Sequence, residues 1–297
     1  MRRFDWLMII ALVVVALAGK FFDFDDNQPP SKNPRRPNPE AFAPKFWDSE
    51  TQAWMSQFPK KSENEISAFA ELPAFGTIDD EGRRSSSVGS AFAIASNGFW
   101  LTARHVAAGC DKTYIQTGEK QALRVTGVNF HPGADIALLS TRSAPAPLTM
   151  SASKGQPVDG FGIGFPKGRP GAVHGRFIGE MTMYHRGRNG FREPVYAWTE
   201  QSRIPARNGS LGGLSGGALL DSQGRVIGII EAESRRRGRF MTAKPETILE
   251  LLDRQSVAFE RTAPAGTALS LTPQFYPQIA RQLITTLRVA KVLCFVE

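Results

Sequence analysis

From about residue 65 onward the apolar residues come in short runs, each closed by Gly, Pro, Asn or Asp. The first run, 66–75, is broken by Pro73. A second, Ser87 to Ala95, is followed by Asn97-Gly98, a strong tight-turn pair, and then by Phe99 to Thr102, which together predict a hairpin. Further strands are predicted over 112–116, 121–130, 136–140, 160–164, 173–184, 195–201, 218–220 and 226–232. Many short strands separated by turn residues specify an all-β barrel or sandwich. Two stretches follow a different period. In Pro245 to Gln255 a proline suits the first helical position, and Ile248, Leu249, Leu251 and Leu252 form an apolar stripe. A second helix is predicted over Pro277 to Arg288, ahead of an apolar end, Val292-Leu-Cys-Phe-Val296. No internal repeat suggests a solenoid or propeller.

The first 62 residues have another character. Arg2 and Arg3 precede an uncharged apolar run of 14 residues, Trp6 to Gly19, shorter than the ~20 residues a spanning helix needs. Ala16-Leu-Ala18 fits a signal-peptide cleavage site. Phe21 and Phe22 extend the apolar run past Lys20, in which case the arginines hold its start in the cytoplasm. Residues 1–19 therefore read as a cleaved signal peptide or a retained anchor. Both place the rest of the chain in a bacterial periplasm, the second with residues 4–19 tethering it to the inner membrane. Residues 20–62 are a Pro-rich linker and N-terminal extension, with prolines at 29, 30, 34, 37, 39 and 44 and a short amphipathic helix predicted around Trp47, Trp54 and Phe58.

Composition changes this picture little. At 41% hydrophobic and 10% aromatic the chain is an ordinary globular one, and its net charge of +8 bears on solubility and steering rather than fold. No nucleic-acid motif accompanies the basic excess, so DNA and RNA are not expected partners. Nor does any metal-ligand spacing occur, and no cofactor is expected.

The chemistry concentrates in three places. Gly209-Ser-Leu-Gly-Gly-Leu-Ser-Gly-Gly-Ala-Leu-Leu-Asp221 sets Ser215 among Gly212, Gly213, Gly216 and Gly217. Glycine permits strained turns and close approach of a ligand, and a serine in such a turn can present its Oγ beside converging N–H groups. His105 stands where the strand ending at Thr102 runs into a short helix-like stretch, and Asp135 stands at the mouth of Ile-Ala-Leu-Leu139. A serine hydroxyl needs a base to take its proton, and an imidazole base needs a carboxylate to fix its tautomer. His131, His174 and His185 read as structural, Asp111 and Asp159 as the weaker carboxylates, and Ser210 lacks a following Gly-Gly.

Leu101-Thr-Ala-Arg-His-Val106, Ala134-Asp-Ile-Ala-Leu138 and Gly213-Leu-Ser-Gly-Gly-Ala-Leu219, in that order, resemble the three signatures of trypsin-like serine proteases. The continuation through Gly-Arg-Val-Ile-Gly-Ile229 is most similar to the bacterial HtrA branch. The resemblance implies two six-stranded antiparallel β-barrels with a C-terminal helix and short helical extensions, His105 and Asp135 on the first barrel and Ser215 on the second. It implies a His105–Asp135–Ser215 triad, an oxyanion hole built from the N–H groups of Gly213 and Ser215, an acyl-enzyme, and a protein or peptide substrate. It also places Gly209 at the floor of the primary specificity pocket, with Ile230 and Glu231 on the strand lining the cleft. Without an aspartate at the floor, a small or medium apolar residue is the expected preference, while Arg235, Arg236, Arg237 and Arg239 offer acidic substrates a long-range attraction.

The chain also departs from the family. HtrA proteases usually add a PDZ domain, whereas only about forty residues follow the helix here. Leu214 stands where the digestive branch has an activating aspartate, so trypsinogen-type activation is not expected; the resemblance implies instead an activating partner or substrate that orders the loop. Cys110 and Cys294 permit one disulfide in an exported protein or remain two free thiols; in the family the bridge near the histidine does not go to the C-terminus. The expected organisation is a protease domain over 63–255 and an extension over 256–297. The expected function is a serine endopeptidase of the cell envelope; the alternative is a catalytically silent trypsin-fold binding or scaffold protein, inactive at the Leu214 loop.

Overall fold

In a computed structural model, the described residues are 77–79 and 86–296, apart from 119–120, 152–154, 187–189, 207–209 and 262–268. The expectations for residues 1–19, 20–62 and 66–75 lie outside them.

Two antiparallel sheets carry the chain. The first contains β2 (Ser87–Ala95), β3 (Phe99–Ala103), β4 (Lys112–Gln116), β5 (Ala122–Arg124), β6 (Gly127–Phe130), β7 (Ile136–Ser140) and β14 (Val289–Phe295), in the order β5-β4-β14-β2-β3-β7-β6. Its two outer members are halves of one bent segment: residues 122–124 pair with β4, residues 127–130 pair with β7, and only Val125 and Thr126 separate them. That bend carries the chain from one edge of the sheet to the other. The second sheet contains β8 (Asp159–Gly164), β9 (Gly171–Arg186), β10 (Phe191–Ile204), β11 (Ala218–Leu220), β12 (Val226–Ser234) and β13 (Arg239–Ala243). It runs β9-β10-β13-β12-β11-β8 and closes through a β8–β9 pairing, while β1 (Thr77–Asp79) adds in parallel to the outer end of β9. The two-barrel architecture of the trypsin-like fold is therefore present.

Side-chain alternation assigns each strand face to a core. Along β2, Ala91 and Ala93 point into the first barrel with Trp100, Ala137, Leu139 and Ile115. Phe92 and Ile94 point the other way, into a layer shared with Phe161 and Ile163 of the second barrel. Trp198, Phe240, Leu219 and Val173 fill the second barrel, with the Trp198 and Phe240 rings stacked 6.1 Å apart. Two helices seal the shared layer. Ile248, Leu251 and Leu252 come from α2 (Pro245–Arg254), whose stripe and N-terminal proline the sequence predicted. Tyr276, Ala280, Leu283 and Ile284 come from α3 (Tyr276–Thr285). Burial pushes the Tyr276 phenol up to about 12, so it stays protonated beside the Ser202 hydroxyl, 3.0 Å away.

The chain end departs most from expectation. The second helix stops at Thr285 rather than 288, and residues 289–295 form a strand of the first barrel instead of a tail outside it. This β14 lies between β2 and β4, antiparallel to both. Val289 packs into the shared layer, while Ala290 and Val292 enter the first-barrel core. The turn before it is held by Arg288, whose guanidinium donates to the carbonyls of Ala146 and Pro147 at 3.1 and 2.6 Å. A Cys110–Cys294 disulfide then ties the strand to the residues following His105. Strand β13 was also missed, because it directly follows the arginine cluster.

A cross-link between residues 184 apart in sequence removes much of the unfolded chain's freedom. Replacing both cysteines by serine is expected to cost about 2–5 kcal/mol in urea unfolding. Deleting 289–297 should abolish the cooperative transition, since the first barrel then loses an interior strand. A truncated protein that unfolds like the full chain would contradict this placement.

Candidate active site

The site forms where the two barrels meet. Strand β3 ends at Ala103, and one short helix, α1 (Arg104–Ala107), carries His105. On the next strand in the sheet, Asp135 immediately precedes β7, and its backbone carbonyl accepts the Arg104 N–H at 2.9 Å. The β3–β7 pairing thus brings together two residues 30 apart in sequence. One Asp135 carboxylate oxygen accepts the backbone N–H of His105 at 2.9 Å. The other lies 2.6 Å from His105 Nδ1. A carboxylate facing Nδ1 places the ring proton there, which makes Nε2 the basic nitrogen of the ring. The Asp135 side chain is only 3% exposed, whereas His105 is 31% exposed, so the carboxylate is shielded and the imidazole open.

Ser215 sits in the turn before β11. Its Oγ donates to the carbonyl of Glu231 at 3.4 Å, a long bond that is weak by geometry. The glycines around it are required by space. Gly216 has φ +83°, and a Cβ there would lie 2.1 Å from the Ser90 carbonyl oxygen and 2.3 Å from Thr102 Oγ1. Gly213 has φ +93°, and its Cβ would meet the Phe165 carbonyl oxygen at 2.6 Å. Leu214 between them is fully buried in the second-barrel core. Its N–H donates to Leu211 O and its carbonyl accepts from Gly217, both at 2.8 Å. An apolar anchor therefore holds the loop where the digestive enzymes use an ion pair. Among the described residues, no acceptor takes the N–H of Gly213 or of Ser215.

Ser90 went unrecognised in the sequence. It is fully buried on β2 and binds the Ser215 loop at two points. Its N–H donates to Ser215 O at 2.8 Å, and its Oγ donates to Gly213 O at 2.7 Å. The same Oγ accepts the Phe165 N–H at 2.8 Å, and the Ser90 carbonyl accepts from Thr102 Oγ1 at 2.7 Å. The available signal was a lone serine within a run of otherwise buried small and apolar residues.

Behind Asp135 lies a second unforeseen group. Glu193 on β10 is fully buried, and its Oε2 accepts the Asp135 N–H at 2.8 Å while lying 3.0 Å from His185 Nε2. Glu231, also buried, faces both carboxylates. Burial first, and then the charges of Glu193 and Asp135, push its carboxyl well above the usual carboxylate range.

The side chains expected at the cleft are buried. Ile230 packs its side chain in the second-barrel core, and Glu231 turns toward Asp135, so neither side chain opens onto a cleft. A register shift between Ile230 and Ala232 interrupts the strand alternation there. Gly209 lies outside the described residues. Of the competing residues, His174 pairs with Asp159 at 2.9 Å, and this hydrogen bond holds the Asp159 carboxyl below its usual range; His131 accepts the Gly133 N–H. Among the described residues no cluster of three His, Cys, Asp or Glu side chains fits a metal ion.

Residues 89–229 match the family model for the trypsin-like peptidase domain. A probable periplasmic serine endoprotease DegP-like of Pseudomonas putida is 28% identical over 165 residues, covering 54% of this chain and 32% of that protein. Its counterpart in Pseudomonas fluorescens is 28% identical over 166 residues, covering 54% and 33%. The chain thus spans about a third of the length of the curated relatives it matches. Among solved structures, the active form of the Rv3671c protease from M. tuberculosis is 18% identical with a TM-score of 0.48, covering 70% of this chain and 100% of that one. Residues 89–229 thus form a domain similar to the trypsin-like peptidases, with DegP-like serine endoproteases among its relatives.

Proposed function

We propose that this chain is an active serine endopeptidase, exported to the periplasm, that hydrolyses peptide bonds through His105, Asp135 and Ser215. The observation that carries the reading is the double grip of the Asp135 carboxylate on the ring and main chain of one partly open histidine. Such a grip fixes the tautomer that a general base needs and stabilises the imidazolium that forms when it accepts a proton. Ser215 Oγ attacks the substrate carbonyl as His105 Nε2 takes its proton. The N–H groups of Gly213 and Ser215 receive the developing oxyanion. His105 then protonates the leaving amine, and water repeats the sequence on the acyl-enzyme. The Oγ bond to Glu231 O is long and requires only a side-chain rotation to release the nucleophile.

Export rests on the Arg2-Arg3 and Trp6–Gly19 pattern together with the periplasmic description of the relatives. Among the described residues no helix is long and apolar enough to cross a membrane, and the tether proposed for residues 4–19 lies outside them. The reading of an inactive scaffold gains no support, because Leu214, the feature that motivated it, is seated in the barrel core.

A fluorophosphonate probe should label the folded protein at Ser215, with labelling lost in S215A and H105A. D135N should keep the fold and lower turnover by about 10⁴-fold, since an amide leaves the imidazole in the wrong tautomer. Labelling that persists in H105A, or absent labelling of folded wild type, would overturn the proposal.

Gly216→Ala tests the geometry independently of the triad. Its Cβ would meet the backbone at Ser90 O and Ala103 N as well as the Thr102 hydroxyl. The variant should lose at least about 10²-fold in labelling rate, the scale of a lost oxyanion donor. Wild-type labelling in G216A would mean that the loop does not need this turn.

A further inference from the structure

The site described above leaves one group of side chains unused. Glu193 and Glu231 are buried behind Asp135, and three of their four carboxyl oxygens have no partner among the described residues: Glu193 Oε1, Glu231 Oε1 and Glu231 Oε2. The fourth, Glu193 Oε2, accepts the Asp135 N–H and lies beside His185 Nε2. A buried unpaired carboxylate is costly, and two facing each other beside a third are costlier still. One proton removes the difficulty. A protonated carboxyl gains an O–H donor, and the nearest acceptors are the other carboxyl oxygens. The orphaned atoms are those such a proton would join.

The groups facing this pair are few. Glu231 meets Glu193 from β10 and Asp135 from the mouth of β7. His185 of β9 reaches Glu193, and its ring stacks on Phe191 at 4.2 Å. Arg104 of α1 lies over the same Phe191 ring, with its guanidinium 5.7 Å from the centroid. Beyond Asp135 stands His105. Among the described residues no guanidinium or ammonium group contacts either glutamate, which is the setting in which a carboxyl keeps its proton. Glu231 also touches the nucleophile, since its backbone carbonyl is the acceptor for Ser215 Oγ.

We propose that Glu231 and Glu193 share one proton, and that this acid pair is the support that positions Asp135 against His105. The functional half of the inference rests on the triad reading; the shared proton does not. Glu193 Oε2 fixes the backbone at Asp135, and the proton from Glu231 holds Glu193 in place. The pair carries a single negative charge, so Asp135 remains the carboxylate that faces the imidazole. No bond to carbon forms or breaks, and the proton stays between carboxyl oxygens throughout turnover. Glu231 is accordingly a positioning residue.

The pH dependence has a definite sign. Because its folded affinity for the proton is raised, Glu231 contributes stability that is fully present below the ordinary glutamate range, near about pH 4.3, and lost as pH rises through the folded value. Glutamine has no proton to lose. The Tm of E231Q minus that of wild type should therefore grow by about 3–5 °C per pH unit above that range, for one proton in a domain of this size. E231L removes the donor and leaves Glu193 unpaired, and its fluorophosphonate labelling rate should fall by about tenfold or more. E231Q, whose amide can still donate, should recover most of that loss. A Tm difference that stays flat with pH would overturn the shared proton, whether or not the protein labels. A folded E231L that labels as fast as wild type, with the same pH profile, would overturn the positioning role. If wild type fails to label while the Tm difference grows with pH, the triad reading fails and the acid pair stands.

Discussion

One buried carboxylate organises the working end of this molecule. Asp135 holds His105 by ring and main chain together, so the carboxylate is fixed relative to the backbone that carries the imidazole. The strength of that grip comes from exclusion of water, because charge-assisted hydrogen bonds gain in a low-dielectric surrounding. The same exclusion makes the carboxylate expensive to bury, and its surroundings answer that cost. Its backbone is fixed by Glu193, and its two oxygens face the His105 main-chain N–H and ring. The reading of the chain as a protease follows from this arrangement more than from any single motif.

A histidine and a serine on different barrels are useful only if the barrels keep register. The apolar layer of Phe92, Ile94, Phe161 and Ile163 supplies cohesion between them, but cohesion of that kind is not directional. Direction comes from Ser90, which reaches from β2 to bond both Ser215 O and Gly213 O. The C-terminal strand adds a second constraint. It pairs with β2 along one edge and with β4 along the other, and its cysteine bridges to the residues after α1. The last residues of the chain therefore help to hold both the strand that carries Ser90 and the segment that follows His105.

The positions of His105, Asp135 and Ser215 were legible in the sequence because each lies in a local pattern of strand, turn and glycine. Helix α2 was legible for the same reason, with its N-terminal proline and apolar stripe within ten residues. What escaped depends on distant partners. Glu193 lies 58 residues from Asp135, and no local spacing announces their contact. The resemblance puts Glu231 on the strand lining the cleft, but its burial beside Glu193 and Asp135 depends on partners from other parts of the chain. The final apolar run could not be recognised as a barrel strand, since the partners that make it one lie about two hundred residues earlier. The arginine cluster at 235–239 concealed β13, a strand whose remaining residues are buried.

The central claim is that Ser215 forms a covalent acyl intermediate driven by the His105–Asp135 pair. The most direct measurement is rapid mixing with a p-nitrophenyl ester, followed by mass analysis of the quenched protein. The account predicts a burst of p-nitrophenol close to one per folded chain, with the acyl group on the Ser215 peptide. Steady ester hydrolysis without a burst, or an acyl group on another residue, would contradict it.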